Sequence, residues 1–182
     1  MTMKNNYSYK LCVAPMMGHT DLHFRYLLRL ISKKTMLYTE MVASNSIIHN
    51  KSKKLNKLER NKDNPVGFQL GGDNPQQLAE CAKIVELHGY NEINLNIGCP
   101  SKRAQSGKFG ACLFSQPELV AKCADNISKS TSLPITVKTR LGIDNLDNIN
   151  YLKDFINTVS SAGVETFHLH ARKAILKKGI NP

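Results

Sequence analysis

Apolar runs and stretches of helical periodicity alternate along almost the whole chain. Short runs typical of strands cover residues 11–15, 36–39, 66–70, 92–96, 135–139 and 166–170. Amphipathic stretches with helical spacing cover residues 21–31, 44–50, 75–88, 117–128 and 149–162. Pro75 opens one of these helices, and Gly89 and Gly163 follow two helix ends. Such strict alternation predicts an α/β fold built from βαβ units around a parallel sheet.

Two architectures fit this alternation, a doubly wound open sheet and a (β/α)₈ barrel. No Gly-x-Gly-x-x-Gly follows the first strand, which weakens the case for a dinucleotide-binding open sheet. Polar side chains instead gather at the carboxyl ends of successive strands, where barrel active sites lie. They are Gln69, Asn94, Asn96, Lys138, Arg140, His168 and His170. This distribution favours the TIM barrel.

The length of the chain limits how much of a barrel we expect. A complete barrel takes about 250 residues, whereas this chain has 182 and ends at Pro182 after the sixth predicted strand. We therefore expect residues 1–182 to form an incomplete barrel, truncated after about six strands and lacking strands seven and eight.

The net charge of the chain indicates which partners it could bind. The formal net charge is +11 and the isoelectric point is about 9.5, which favours RNA or DNA over membranes. A lysine-rich genome composition explains the same excess without a specific partner. We interpret the lysine-rich segment 51–62 as solvated surface rather than as an RNA-binding patch.

The cysteines exclude a disulfide framework. Five cysteines occur without a Cys-x-x-Cys pair, which predicts neither a zinc site nor disulfides and favours a reducing, cytoplasmic environment. No secretory segment or membrane-spanning run is present in the sequence. The His168-x-His170 pair could be half of a metal site, but no carboxylate lies at a matching strand end, so we predict no metal.

Cys99 is the main candidate for chemistry. It lies in a loop bounded by Gly98 and Pro100, directly after a predicted strand. A thiol on a stiff turn suits proton donation or nucleophilic attack. An isolated cysteine is more often a packing residue, so its neighbours in the sequence decide the interpretation.

Seven motifs occur in order along the chain, at residues 14–17 (APMM), 37–41 (LYTEM), 69–72 (QLGG), 92–101 (EINLNIGCPS), 107–111 (GKFGA), 137–140 (VKTR) and 170–173 (HARK). Together they resemble one known family, the tRNA-dihydrouridine synthases. The Lys-Phe-Gly-Ala and His-Ala-Arg-Lys-Ala stretches are similar to its bacterial A subfamily. The resemblance implies a flavin-dependent TIM barrel that carries FMN. It further implies NADPH-dependent reduction of the D-loop uridines 20 and 20a of tRNA to dihydrouridine.

For the cofactor, the resemblance implies several contacts. His170 and Gln69 would bind FMN, and Gln69 can both donate and accept at the pyrimidine edge. Lys138 would stabilise negative charge on the N1–C2 edge of the reduced flavin. The turn formed by Pro15, Met16 and Met17 would lie against the isoalloxazine ring.

For the substrate, the resemblance assigns Cys99 as the acid that protonates C5 of uracil, a role that suits a protonated thiol. Asn96 would contact the flipped base, and Asn94 shares its face. Lys102 and Arg103 would meet tRNA phosphates, although a solvated basic loop is an equal alternative. Arg140 adds a second basic group at the barrel mouth.

Two other interpretations stay open. One is a flavin barrel that acts on free pyrimidines, similar to dihydroorotate dehydrogenase, which needs no basic surface. The other is a non-catalytic remnant with residual RNA binding, since the helical tRNA-binding domain of the family lies beyond this chain. We expect a monomer. His168 stands where the family resemblance suggests an apolar residue, and its role is open.

Overall fold

A computed structural model describes residues 9–49 and 63–176, which form one seven-stranded parallel sheet with flanking helices. The strand order is β1-β2-β4-β5-β6-β7, and the short β3 pairs with the end of β4. The predicted surface segment 51–62 lies outside the described residues. The strands are β1 (Cys12–Val13), β2 (Met36–Tyr38), β3 (Val42–Ala43), β4 (Val66–Gly71), β5 (Glu92–Asn96), β6 (Ile135–Ile143) and β7 (Thr166–Ala174).

The helices follow the strands in chain order. Four of them begin with a side chain that accepts a hydrogen bond from the third residue beyond it, namely Asp21, Asn74, Ser101 and Asn148. Such caps satisfy backbone donors that the first helical turn leaves free. The helices are α1 (Leu22–Ile31), α2 (Ser44–Ile48), α3 (Pro75–Leu87), α4 (Lys102–Ser106), a 3₁₀ helix (Gly110–Ser115), α5 (Pro117–Ser128) and α6 (Ile149–Ser160).

The sheet curls, and this decides between the two predicted architectures. The Tyr38 hydroxyl of β2 lies 2.8 Å from Nε2 of His168 on β7. Strands β4, β5 and β6 separate them in the sheet, so a flat sheet would hold them about 19 Å apart at the usual strand spacing. The predicted α/β barrel-type fold is confirmed, in the form of a curled half-barrel.

The two faces of the sheet differ in character. Alternate residues such as Phe68, Ile93 and Val137 are buried in one apolar cluster with residues of α3 and α5. The intervening residues point into the half-barrel and are polar on neighbouring strands, for example Asn94 and Thr136, both buried. A polar interior that opens at the carboxyl ends of the strands positions the candidate site.

Helix α1 packs differently from its sequence pattern. Its amphipathic pattern predicts a leucine-rich face, yet Leu27 and Leu30 are exposed, whereas Arg25 and Arg29 are buried. Nε of Arg25 donates to the Asp63 carboxylate at 2.8 Å. The Arg29 guanidinium donates to the carbonyl oxygens of Ser32, Thr35, Asp63 and Pro65. The Arg25 ion pair and the Arg29 hydrogen bonds, rather than leucine burial, therefore stabilise the packing of this helix face.

The observed elements extend the predicted ones at the site. Strands β6 and β7 continue to residues 143 and 174, beyond their predicted ends at 139 and 170. Strand β3, helix α4 and the 3₁₀ helix were not predicted, since each is very short. Among the residues that the structure describes, no helix is both long and apolar enough to cross a membrane.

Candidate active site

A wide cavity of about 1200 Å³ opens at the carboxyl ends of the strands. Its walls come from the loops after β1, β2 and β5 and from strands β4, β6 and β7, so residues distant in sequence meet there. Asn94 and Lys102 are the predicted site residues that do not line it. Those that do are Pro15, Met16, Met17, Gln69, Asn96, Cys99, Arg103, Lys138, Arg140 and His170.

The loop that carries Cys99 is held by hydrogen bonds from three sides. The Asn96 amide oxygen accepts from the backbone N–H groups of Gly98 and Cys99, at 3.0 and 2.8 Å. Nε of Arg140 donates to the Gly98 carbonyl at 2.7 Å, and the Ala111 N–H donates to the Cys99 carbonyl at 2.9 Å. The half-buried thiol is therefore presented on a fixed turn at the cavity wall.

Ser101 contacts the thiol directly. The Cys99 Sγ lies 3.3 Å from the Ser101 hydroxyl oxygen, which also accepts from the Ala104 N–H and caps α4. The sequence analysis did not single out Ser101. Its position two residues after the cysteine and before a short helix was the available signal.

Two basic side chains line the cavity floor because successive side chains along β6 point to opposite faces of the sheet. Lys138 and Arg140 point to the same side of the strand, and their register partners on β7 are His168 and His170. Burial lowers the pKa of Lys138, and the charge of Arg140 lowers it further, although nearby Cys99 acts in the opposite direction. A lysine in these surroundings can stabilise negative charge on a bound ring.

The two histidines occupy different depths. Burial lowers the pKa of His170, as do the charges of Arg140, Lys138 and Arg172. His168 lies deeper, where it contacts the Tyr38 hydroxyl and the ring of Tyr9, whose centroid is 5.7 Å away. Within the described ranges, no group of three or more histidine, cysteine or acidic side chains could hold a metal ion.

Gln69 and the two asparagines form a stack of amides. Gln69 Nε2 donates to Asn94 Oδ1 at 2.7 Å, and Asn96 Nδ2 donates to Gln69 Oε1 at 2.9 Å. Asn94 is fully buried beneath the other two and does not line the large cavity. The structure thus places Asn94 as a support for Gln69, away from the position expected for a substrate contact.

The turn after β1 presents two methionines to the cavity. The Met16 carbonyl accepts from the N–H groups of His19 and Thr20, and the Met16 N–H donates to the Thr20 hydroxyl. Gly18, with φ of 77°, donates its N–H to the Glu40 carboxylate. Glu40 also lines the cavity. It was part of a quoted motif, but no role was predicted for it.

Comparison with known proteins identifies the family. A family model described as "Dihydrouridine synthase (Dus)" matches residues 12–180. The chain belongs to the dihydrouridine synthase family. The predicted resemblance is thereby confirmed.

Relatives with curated names are similar to this chain. A tRNA-dihydrouridine(20/20a) synthase of Synechocystis sp. is 52% identical over 94% of the chain and 51% of its own length. The protein of the same name from Salmonella typhi is 53% identical over 96% of the chain and 52% of its own length. The chain thus spans about half the length of these relatives.

Among solved structures, the carboxyl transferase domain of Rhizobium etli pyruvate carboxylase has a TM-score of 0.48 at 14% identity. The match covers 91% of the chain and 26% of that protein. A TM-score this low supports no conclusion about this chain.

Gly110 makes the approach between the Cys99 loop and the 3₁₀ helix possible. Its φ is +79°, and a Cβ there would lie 2.5 Å from the Cys99 carbonyl oxygen. We expect Gly110→Ala to cost about 2 kcal/mol or more of unfolding free energy, measured by urea denaturation. Gly163→Ala is the control, since Gly163 has φ of +90° and no atom within 4 Å of the position that an added Cβ would take. Equal losses in the two variants would contradict the proposed close contact.

Acid is expected to destabilise the fold through His168. Burial, followed by the charge of Lys138, lowers the pKa of His168. Below about pH 6.5 the unfolded chain therefore binds more protons than the folded one, and the unfolding free energy falls as the pH falls. His168→Gln should reduce this loss between about pH 7 and pH 5, by about 1.4 kcal/mol per unit of pKa shift.

Urea denaturation at a series of pH values measures this slope. An unchanged slope in His168→Gln would show that His168 is not kept neutral by its surroundings.

Proposed function

We propose that the chain carries the flavin and uridine site of a tRNA-dihydrouridine synthase, acting on D-loop uridines 20 and 20a. The observation that supports this most strongly is the single cavity that Cys99, Asn96, Lys138 and His170 line together. Three neighbouring strands and the cysteine loop contribute these four side chains. The names of relatives that are about half identical to the chain agree with this chemistry.

The residues at the cavity floor fit FMN. Gln69 keeps one N–H and one oxygen lone pair that the hydrogen bonds described above do not use. These two groups match the pyrimidine edge of the flavin, on which donors and acceptors alternate. Lys138 is the cation that would face the N1–C2 edge, and His170, the register partner of Arg140, lines the same cavity. The exposed side chains of Met16 and Met17 offer an apolar surface to a flat ring. When bound and reduced by NADPH, FMN supplies the hydride for C6 of uracil.

Cys99 supplies the proton in this proposal. Saturation of the uracil C5–C6 bond needs one proton at C5, and Cys99 lines the cavity on a turn held by Asn96, Arg140 and Ala111. Ser101 holds the thiol by the contact between its hydroxyl and Sγ. After the transfer the thiolate lies close to Lys138 and Arg140, whose charges stabilise it.

Transfer RNA is the partner that this proposal names. A target base must leave the stack to enter the cavity, so the surrounding surface must hold a polyanion. Arg103 lines the cavity rim and Lys102 is exposed on the same helix, in a chain of net charge +11. The proposal includes a monomeric protein that works in the cytoplasm, where tRNA is modified.

Substrate choice separates this function from the two alternatives. The chain is incubated with FMN, NADPH and tRNA lacking modifications, and the nucleosides are analysed by mass spectrometry. We expect dihydrouridine in the tRNA and no conversion of free uridine or dihydroorotate. Turnover of dihydroorotate would favour the free-pyrimidine enzyme. Binding of tRNA without turnover, with FMN bound, would favour the non-catalytic remnant.

A further inference from the structure

A hydrogen-bond chain runs from the Cys99 loop down to the buried end of the half-barrel. Its upper end is the Asn96 amide oxygen, which accepts from the backbone N–H groups of Gly98 and Cys99. A backbone N–H can only donate, so this end requires an acceptor. The orientation of the Asn96 amide is therefore fixed, with Nδ2 turned away from the loop.

The next members continue in the same direction. Asn96 donates to Gln69 at 2.9 Å, Gln69 to Asn94 at 2.7 Å, and Asn94 to the Thr136 hydroxyl at 2.7 Å. Thr136 then donates to a Glu92 carboxylate oxygen. Strand register explains the alignment, because Gln69, Asn94 and Thr136 are partners across β4, β5 and β6.

The lower end of the hydrogen-bond chain is the Glu92 carboxyl group, which accepts from the Thr136 hydroxyl. Glu92 is fully buried, and its second carboxylate oxygen accepts from the Tyr9 hydroxyl at 2.6 Å. Burial raises the pKa of Glu92, whereas the hydrogen bonds from Thr136, Tyr9 and Tyr38 oppose that shift. The Thr136 hydroxyl accepts from Asn94, so its own hydrogen is donated to Glu92, and the lower end agrees with the direction set at the Cys99 loop. The amides between them have a single satisfied orientation.

This orientation limits what the cavity floor can offer a ligand. Both lone pairs of the Asn96 oxygen are used, and one of its two amide hydrogens goes to Gln69. Asn96 can therefore only donate to a ligand, through its remaining Nδ2 hydrogen. Gln69 keeps one donor and one acceptor.

We infer that Glu92, Thr136 and Asn94 are positioning residues that hold Gln69 and Asn96 in the orientation set by the Cys99 loop, in which the Asn96 amide donates to a base carbonyl and rejects an exocyclic amine. Uracil carries an oxygen where cytosine carries an amino donor, so the contact selects uracil. The selectivity rests on the proposed function. The hydrogen-bond chain does not, and the two are tested separately.

The hydrogen bonds of this chain of amides are tested by hydrogen exchange of the side-chain amides in the ¹⁵N-labelled protein. We expect the bonded amide hydrogens of Gln69, Asn94 and Asn96 to exchange at least about tenfold more slowly than those of the exposed Gln76. Exchange as fast as that of Gln76 at all three would overturn the inference, and this result needs no variant.

A matched pair of variants tests whether loss of the Thr136 hydroxyl weakens the hydrogen bonds of the amides further along the hydrogen-bond chain. Thr136→Val removes the hydroxyl at nearly constant volume, and we expect faster exchange at Asn94, Gln69 and Asn96. Thr136→Ser keeps the hydroxyl and should restore the exchange of the unaltered chain. Thr166→Val, at the register partner on β7, is the control that should change none of the three. A change at Asn94 alone would overturn the positioning role, because a local packing defect would produce it.

The selectivity is tested with two mononucleotides as probes. Uridine monophosphate should shift the Asn96 side-chain amide signal in the FMN-loaded protein, and cytidine monophosphate should shift it at least about tenfold less at equal concentration. Equal shifts would overturn the donor-only contact. If neither nucleotide shifts the signal while the exchange pattern is as expected, the selective contact is overturned and the hydrogen-bond chain stands, whereas the proposed function is tested by the dihydrouridine assay with tRNA.

Discussion

Cys99→Ala is expected to lower the rate of dihydrouridine formation by about 10²–10⁴-fold, the usual contribution of a positioned general acid. The reason is that C5 of uracil would lose its proton donor, while Lys138, Gln69 and His170 would still be present for FMN. Single-turnover reduction of tRNA uridine by the pre-reduced, FMN-loaded chain measures the chemical step directly. Cys99→Ser should be similarly slow, because a serine hydroxyl is a far weaker acid than a thiol.

Cys112→Ala provides the matched control for this prediction. Cys112 is also partly buried and close to the same loop, where its thiol contacts the Phe109 carbonyl, but it does not line the cavity. Its loss should leave the rate within about threefold of the unaltered chain. A Cys99→Ala protein that reacts as fast as Cys112→Ala would contradict the assignment of Cys99 as the acid.

Asp63→Ala is expected to cost about 3–5 kcal/mol of unfolding free energy, the largest stability effect that the structure predicts. Asp63 and Arg25 form an ion pair of 2.8 Å with side chains 0% and 5% exposed. Removal of the carboxylate leaves the Arg25 guanidinium buried without its charge partner. Urea denaturation monitored by circular dichroism measures the loss.

Two comparisons sharpen this second prediction. Asp125→Ala breaks the exposed pair with Lys129 at the end of α5 and should cost at most about 1 kcal/mol. The double variant Arg25→Met with Asp63→Ala should lose less than the sum of its single losses, because no charge stays buried alone. If Asp63→Ala lost no more unfolding free energy than Asp125→Ala, the buried ion pair would not stabilise the packing of α1.

Much of the fold could be predicted because strong local signals coincide with it. Asn74 caps the helix that Pro75 opens, and the strand predicted at 92–96 is β5 as observed. The polar strand ends at Gln69, Asn96 and Lys138 indicated the cavity, since alternation along strands is a simple geometric rule.

Long-range pairing explains what the sequence could not show. The leucines of α1 suggested a core-facing side, but Arg25 and Arg29 take that position because Asp63, more than thirty residues away, supplies the charge and a carbonyl. Asn94 lies on the predicted face, yet depth within the half-barrel cannot be read from alternation. The same limitation hid the contact between Tyr38 and His168, which depends on the curl of the whole sheet.

Titration of the chain with FMN, followed by visible absorption, tests most directly whether the cavity is the flavin site. Lys138→Met is compared with Lys153→Met, which removes an exposed lysine of α6 outside the cavity. We predict a shifted flavin spectrum with the unaltered chain and with Lys153→Met, and a dissociation constant at least about tenfold higher with Lys138→Met. An unshifted spectrum, or equal affinity in the two variants, would contradict the assignment of this cavity.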